Sequence, residues 1–267
     1  MTAILPWLRR WRAAPASAPT PVPVPVPAPA LQPAPPVDFF ADIDGALRRF
    51  APAFSPRTIF DVGAFQGDFT ARLLTIFPEA DYHLFEAQPD TFARVRDRFA
   101  GDARIRATHA ALLDVAGEVT FHRGHFAPTS SLFPRNTTGR AYFAPEHDMA
   151  ETVRVPGLTL DAHCASQGVQ AIDILKLDTQ GAEHSILRGA AGLLGAGRIS
   201  LIFTEFFAIP HYEGAPLLDE IWSLLRGHGY DLYDIFVGQR GPDGQLRYGD
   251  AIFLSPGFRR DVLPRLG

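Results

Sequence analysis

Residues 59–77 read IFDVGAFQGDFTARLLTIF. An apolar run stops at Asp61, turns through Gly63 and Gly67, and becomes a pattern of helical period. TIFDV (58–62) reads as a buried strand. From Asp68 onward Phe69, Leu73, Ile76 and Phe77 fall on one helix face, and Pro78 ends the run. Strand, glycine turn and helix in that order form the opening unit of a parallel α/β sheet. In such sheets a ligand sits at the carboxyl ends of the strands, and the first strand–helix turn holds it.

Outward from this stretch the alternation repeats. YHLFEA (82–87) reads as a second strand, with Pro89 opening the next helix, DTFARVRDRF. RIRATHAAL (104–112) reads as a third strand, and GEVTFHRG (117–124) as an edge strand or hairpin arm. Residues 125–152 lack periodicity and read as a long loop suited to a lid or substrate contact. IDILKLDT (172–179) reads as a fourth core strand, AEHSILRGAAGLL as one helix, and ISLIFTEF (199–206) as a fifth strand. APLLDEIWSLLRGHG reads as a helix, and YDLYDIFV and DAIFLS as two closing strands. Ahead of the opening unit, DFFADIDGALRRFAP places Phe39, Ile43, Leu47 and Phe50 on one helix face. Repeated strand–helix alternation implies a parallel sheet covered on both faces.

The residues of the first turn limit the ligand. Gly63 and Gly67 let the backbone approach a ligand with no Cβ between, and the loop N–H groups of Ala64 and Phe65 lie beside them. The helix start after Gly67 favours a carboxylate or phosphate. Glu86, with Ala87 after it, ends the next strand about 20 residues on, where an acid accepts hydrogen bonds from ribose hydroxyls. Phe65 stands where the second glycine of a dinucleotide turn belongs, and that glycine exists to admit a pyrophosphate. S-adenosylmethionine has a ribose and no pyrophosphate; Asp61 suits its amine and the loop N–H groups its carboxylate. A turn without a ligand is the plain alternative.

The motifs FDVGAFQGDFT, FEAQPDTF, AALLDVAGEVTF, SSL, LTLD, IDILKLDTQGAEHSILRGA and IFTEF, in this order, resemble the FkbM-type methyltransferase family over roughly residues 57–235. LKLDTQGAEHSILRGA is similar to the family's Lys-x-Asp-x-x-Gly-x-Glu signature. FEAQP departs from the common Glu-Pro-x-Pro but keeps the acid and the later proline. The resemblance implies a Rossmann-like class I methyltransferase fold, α/β, with a seven-stranded, mostly parallel sheet, helices on both faces and an antiparallel edge from the last strands. It implies S-adenosylmethionine as methyl donor and a hydroxyl acceptor on a sugar, glycan or small metabolite. By the same likeness Asp61, Gly63 and Gly67 face the methionine end, Glu86 the ribose, and residues from Ala111 and Leu112 to Asp114 the adenine.

Methyl transfer to a hydroxyl is helped by holding the acceptor in line and by a base that takes its proton. Asp178, at the end of ILKLD, leads for an active-site role; Glu205, at the end of LIFTE, follows as base or hydroxyl acceptor. His211 in IPHYEG titrates in a useful range and is the third candidate, with a solvated loop histidine as its alternative. Glu183 reads equally well as a helix-start acid, and Lys176 as the partner of a carboxylate. Ser130 and Ser131 suit ordering the long loop. The nine histidines show no metal-ligand spacing, so no metal is expected.

The remaining composition sets bounds. The chain has 267 residues and a net charge of −4, which argues against a nucleic-acid surface. No run approaches the ~20 apolar residues of a membrane span. Residues 1–37 are expected to form a Pro-rich disordered segment and 38–267 the catalytic domain. PVPVPVPAP suits a stiff spacer, with docking to a proline-reading domain as the alternative. MTAILPWLRRWRAA lacks the apolar core of a secretory signal, and the lone Cys164 fits a reducing compartment; a cytoplasmic location is expected. Two other functions remain open: a non-catalytic cofactor-binding scaffold and a nicotinamide-dependent oxidoreductase.

Overall fold

Strand β1 (Thr58–Val62) is an interior strand of a sheet, and its alternation explains the layers around it. The structure is a computed structural model that describes residues 41–136 and 148–266. The Pro-rich segment, Phe39 and the middle of the expected long loop lie outside the described residues.

In chain order the elements are α1 (Ala41–Phe50), β1, α2 (Asp68–Ile76), β2 (Asp81–Glu86), α3 (Pro89–Arg98), β3 (Ile105–His109), β4 (Ala111–Leu112) and β5 (Gly117–Gly124). Then follow β6 (Met149–Leu158), α4 (Leu160–Gln167), β7 (Ile172–Leu177), α5 (Glu183–Arg188), α6 (Ala191–Gly195) and β8 (Ile199–Phe207). The chain closes with α7 (Leu218–Gly227), β9 (Asp231–Arg240), β10 (Leu246–Leu254) and α8 (Pro256–Asp261). Seven strands form one sheet in the order β3-β2-β1-β7-β8-β10-β9. The first five run parallel; β10 is antiparallel to both β8 and β9. Strand order reverses between β1 and β7, which opens a crevice at their carboxyl ends.

Successive strand residues point to opposite faces. Phe60 and Val62 join Leu175, Leu177 and Ile202 under Leu160, Ile186, Leu187, Ile221 and Leu225 from α4, α5 and α7. Ile59 joins Ile174, Leu201, Phe203 and Ile252 under Leu47, Phe50, Phe69, Leu73 and Phe258 from α1, α2 and α8. Both faces are therefore closed to water, as the apolar strands require. Cys164 is buried in the first layer, and burial pushes its thiol up to about 12, which keeps it unreactive.

Three expectations change. RIRATHAAL is not one strand: β3 pairs with β2, while β4 leaves that sheet and pairs with β6 in a second sheet of order β4-β6-β5. The Ala110 N–H donates to the Glu86 carbonyl (3.2 Å), and beyond it the chain finds a new partner. AEHSILRGAAGLL is two helices. Gly189 separates them; its carbonyl accepts from the Asp161 N–H (3.0 Å), and a Cβ there would collide with the Leu113 carbonyl oxygen, so only glycine fits. The loop expected to reach residue 152 ends earlier, because Met149 begins β6.

Candidate active site

Gly63 has φ +72°, and a Cβ there would sit 1.8 Å from the Asp178 carbonyl oxygen. Only glycine lets the ends of β1 and β7 come this close. The N–H groups of Gly63 and Ala64 both donate to the Phe85 carbonyl at 3.0 Å, and the Phe65 N–H donates to Glu86 Oε2 at 2.9 Å. Phe65 thereby holds φ +50°, a left-handed conformation that costs a non-glycine residue of order 1 kcal/mol. Gly67, at φ +81°, packs where a Cβ would meet the Phe99 ring at 2.4 Å. The turn is thus strapped to the end of β2. Glu86 also accepts from the Gln88 N–H (2.8 Å). Burial raises the Glu86 carboxyl, against those two backbone donors and the Lys176 charge.

The crevice holds a cavity of about 360 Å³, within the range of small-molecule sites. Gly63, Phe65 and Glu86 line one part of it, and Ala111, Leu112, Phe121, Pro128 and Leu132 form an apolar wall. Asp178, Gln180, Glu205, Tyr248 and Asp250 line a third, acidic part. Of the residues expected from the sequence, Gly63, Phe65, Glu86, Ala87, Ala111, Leu112, Asp178 and Glu205 line this cavity. Asp61, Ala64, Gly67 and His211 are absent from its lining.

The reason differs for each. Asp61 is fully buried and faces the α2 side of the sheet. Its carboxylate meets Lys176 Nζ at 2.9 Å and accepts from Thr70 Oγ1 at 2.7 Å, so it is held by the protein rather than offered to a donor amine. Ala64 packs among the α1 and α2 side chains, and Gly67 against α3. His211 is buried, stacked on Phe207 at 5.1 Å and beside Arg135; it is not a solvated loop histidine.

Lys176 donates to the Gly63 carbonyl (2.7 Å) and lies 3.8 Å from Asp178. Burial alone would lower its pKa, but Asp61, Asp178 and Glu86 hold it above the usual lysine value. Glu183 accepts from the N–H and Oγ1 of Thr179 and from the Gly181 N–H, at 2.7–2.9 Å. It therefore shapes the loop after β7 from beneath. Gln180, at φ +59°, donates through Nε2 to Glu205 (2.8 Å) and Asp178 (3.2 Å) and accepts from Tyr212 Oη (3.0 Å). Ser131 Oγ donates to the Gln180 carbonyl (2.6 Å), and Ser130 Oγ to Gln88 Oε1 (3.0 Å), which fastens residues 130–131 over the crevice.

Sequence reasoning missed Asp250, Tyr248 and Gln180. Asp250 had a visible signal, a lone acid ahead of an apolar run in GDAIFL. Burial, then Asp178, push its carboxyl up to about 8. Burial also raises Glu205 well above the carboxylate range, with Asp178, Glu183 and Asp250 adding to it. Tyr248, beside them, is pushed up to about 12 by burial. No cluster suited to a metal ion occurs among the described residues.

Residues 61–232 match the family described as Methyltransferase FkbM domain. The chain belongs to this family. Among FkbM relatives, the 2-O-methyltransferase NoeI of Sinorhizobium fredii (strain NBRC 101917 / NGR234) is 28% identical over 175 residues, covering 62% of this chain and 70% of NoeI. The 31-O-demethyl-FK506 methyltransferase FkbM of Streptomyces tacrolimicus is 30% identical over 199 residues, covering 64% of this chain and 72% of its own. Among solved structures, precorrin-6y C5,15-methyltransferase from Geobacter metallireducens GS-15 overlays at TM-score 0.43 with 10% identity, over 83% of this chain and 93% of that one. As an FkbM member the chain is an S-adenosylmethionine-dependent methyltransferase. No helix among the described residues is long and apolar enough to cross a membrane.

Proposed function

We propose that this enzyme binds S-adenosylmethionine in the crevice between β1 and β7 and methylates a hydroxyl of a glycan or small metabolite. One observation carries the reading: a single cavity runs from Glu86, at the end of β2, to the carboxyls at the ends of β7 and β8. The residues fit the donor. Each Glu86 oxygen already takes one backbone donor and keeps a lone pair for a ribose hydroxyl. Ala87, Ala111 and Leu112 offer an apolar slot for a purine, and Gly63 and Phe65 lie at the methionine end. Asp61 acts at one remove, by fixing Lys176.

When bound, the donor supplies a methyl carbon made electrophilic by a positively charged sulfur. The acidic residues favour such a positive charge nearby. Asp178 and Glu205 orient the acceptor hydroxyl, and a carboxylate there takes its proton as the new bond forms. Phe65, Pro128 and Leu132 narrow the crevice against water. O-methylation is the reaction named for NoeI and for the FK506 enzyme, which supports a hydroxyl acceptor here. We place catalysis in residues 38–267, give residues 1–37 the role of a stiff spacer, and place the enzyme in the cytoplasm.

The test uses labelled S-adenosylmethionine and an extract of cells that lack the gene. The wild type is expected to transfer label to a hydroxyl-bearing compound. Asp178→Ala should slow transfer by about 10²-fold or more with donor affinity little changed. Label recovered on nitrogen or carbon would overturn the hydroxyl assignment.

A further inference from the structure

Resting on that reading, we infer that Asp250 joins Glu205 as a carboxyl pair sharing one proton at the acceptor end of the cavity. One member stays ionised to take a hydroxyl proton while the other donates a hydrogen bond to the same oxygen. Neither a single strand nor a motif contains the pair. It is made by register: β10 runs antiparallel to β8, and Asp250 lies directly opposite Glu205. Side chains of directly opposed residues leave the same face with Cβ atoms about 4.5–5.5 Å apart. Both residues line the cavity.

Two carboxyls this close, drawn out of water, do not both ionise. The groups around them reinforce this. Asp178 at the end of β7 and Glu183 on α5 add negative charge; Tyr248 and Tyr212, with pKa values raised by burial, stay neutral. Among the described residues Lys176 lowers Asp250 but is already engaged by Asp61 at 2.9 Å, and Arg135 lies over the Tyr212 ring. Gln180 acts as a positioning residue. Its Nε2 can only donate, so its 2.8 Å bond to Glu205 offsets part of the rise that burial and the neighbouring carboxyls give that group. Its Oε1 lies 3.0 Å from Tyr212 Oη, which also reaches the Thr129 carbonyl at 2.8 Å.

In the reaction the acceptor O–H bond breaks and its proton passes to the ionised carboxyl of the pair. The oxygen's electron pair forms the new bond to carbon, and the electrons of the carbon–sulfur bond leave with sulfur. That carboxyl later returns its proton to water.

The experiment is a pH titration of the full-length, donor-free protein by infrared spectroscopy, reading the carbonyl stretch of protonated carboxyls. The wild type is expected to keep such a band at pH 7 and to lose it as pH rises through about 8. Asp250→Asn should remove that component. Glu205→Gln, which takes away the like-charged neighbour, should shift its midpoint down by about a pH unit. A wild type with no such band at pH 7, or a band unchanged in both variants, overturns the pair. Calorimetry with S-adenosylmethionine on the same samples separates the two claims. Donor binding with an unchanged band rejects the pair alone, whereas a wild type that binds no donor rejects the function on which the pair rests.

Discussion

Gly63 and Glu86 carry the local chemistry of the crevice, and each makes a sharp prediction. A methyl group at Gly63 would collide with the Asp178 carbonyl at a φ that alanine resists. Gly63→Ala is expected to lower stability by about 2–4 kcal/mol, read from denaturant midpoints, and to abolish donor binding. A midpoint equal to wild type would mean that the strand ends have room to part. Glu86→Gln keeps the side-chain volume but removes the charge offered to the ribose. Donor affinity should fall by about 10- to 100-fold by calorimetry, the value of hydrogen bonds to a charged group. Much of this scale was legible: the glycine turn and the acid about 20 residues later announce a nucleoside site in sequence alone. Asp61 was not, because strand alternation pairs it with Lys176 from β7, more than a hundred residues away.

Between β1 and β7 the Asp61–Lys176 pair is an ion pair out of reach of water. Removing one partner leaves the other charge buried and alone. Lys176→Met is expected to cost about 3–5 kcal/mol, while Asp61→Leu with Lys176→Met should recover most of it in a double-mutant cycle. A single variant as stable as wild type would contradict the pairing. Across β2 and α4 a second buried polar contact contributes to the acid response. His83 stacks on Phe60 (4.5 Å) and meets His163 edge-on (5.9 Å). Burial, then the neighbouring His163, lower His83 to about 4. The unfolded chain therefore binds a proton at higher pH than the folded one. The stabilisation is complete above about 6.5 and is lost as pH falls through about 4; the shift is worth up to about 3 kcal/mol. Thermal midpoints should fall over that window, and His83→Phe should flatten the fall. A profile identical in the variant would remove His83 from the account. Element breaks were the hardest feature to read. RIRATHAAL keeps one pattern through the residue where its partner strand changes, and no local signal marks the Leu113 backbone against which Gly189 packs between α5 and α6.

The whole molecule places the site by topology. β1 and β7 diverge at the reversal of strand order, and every carboxyl discussed lies at or beside that end of the sheet. Alternating strand and helix patterns were enough to foresee the parallel sheet, and the family resemblance the closing antiparallel edge. They were not enough to find Asp250, because which residue faces Glu205 depends on the β8–β10 register and not on composition. Residues 13–37 are almost all Pro, Ala and Val, a composition poor in residues that build a core. Deleting residues 1–37 is expected to leave the thermal midpoint and donor affinity unchanged, and a loss of either would give them a part in the catalytic domain. The central claim is that one crevice holds S-adenosylmethionine by its ribose, and calorimetric titration tests it most directly. The account predicts one site per chain for S-adenosylmethionine and for its demethylated thioether product, weakened in Glu86→Gln, and no binding of NAD. Binding of NAD in place of the methyl donor, or a donor affinity indifferent to Glu86, would contradict it.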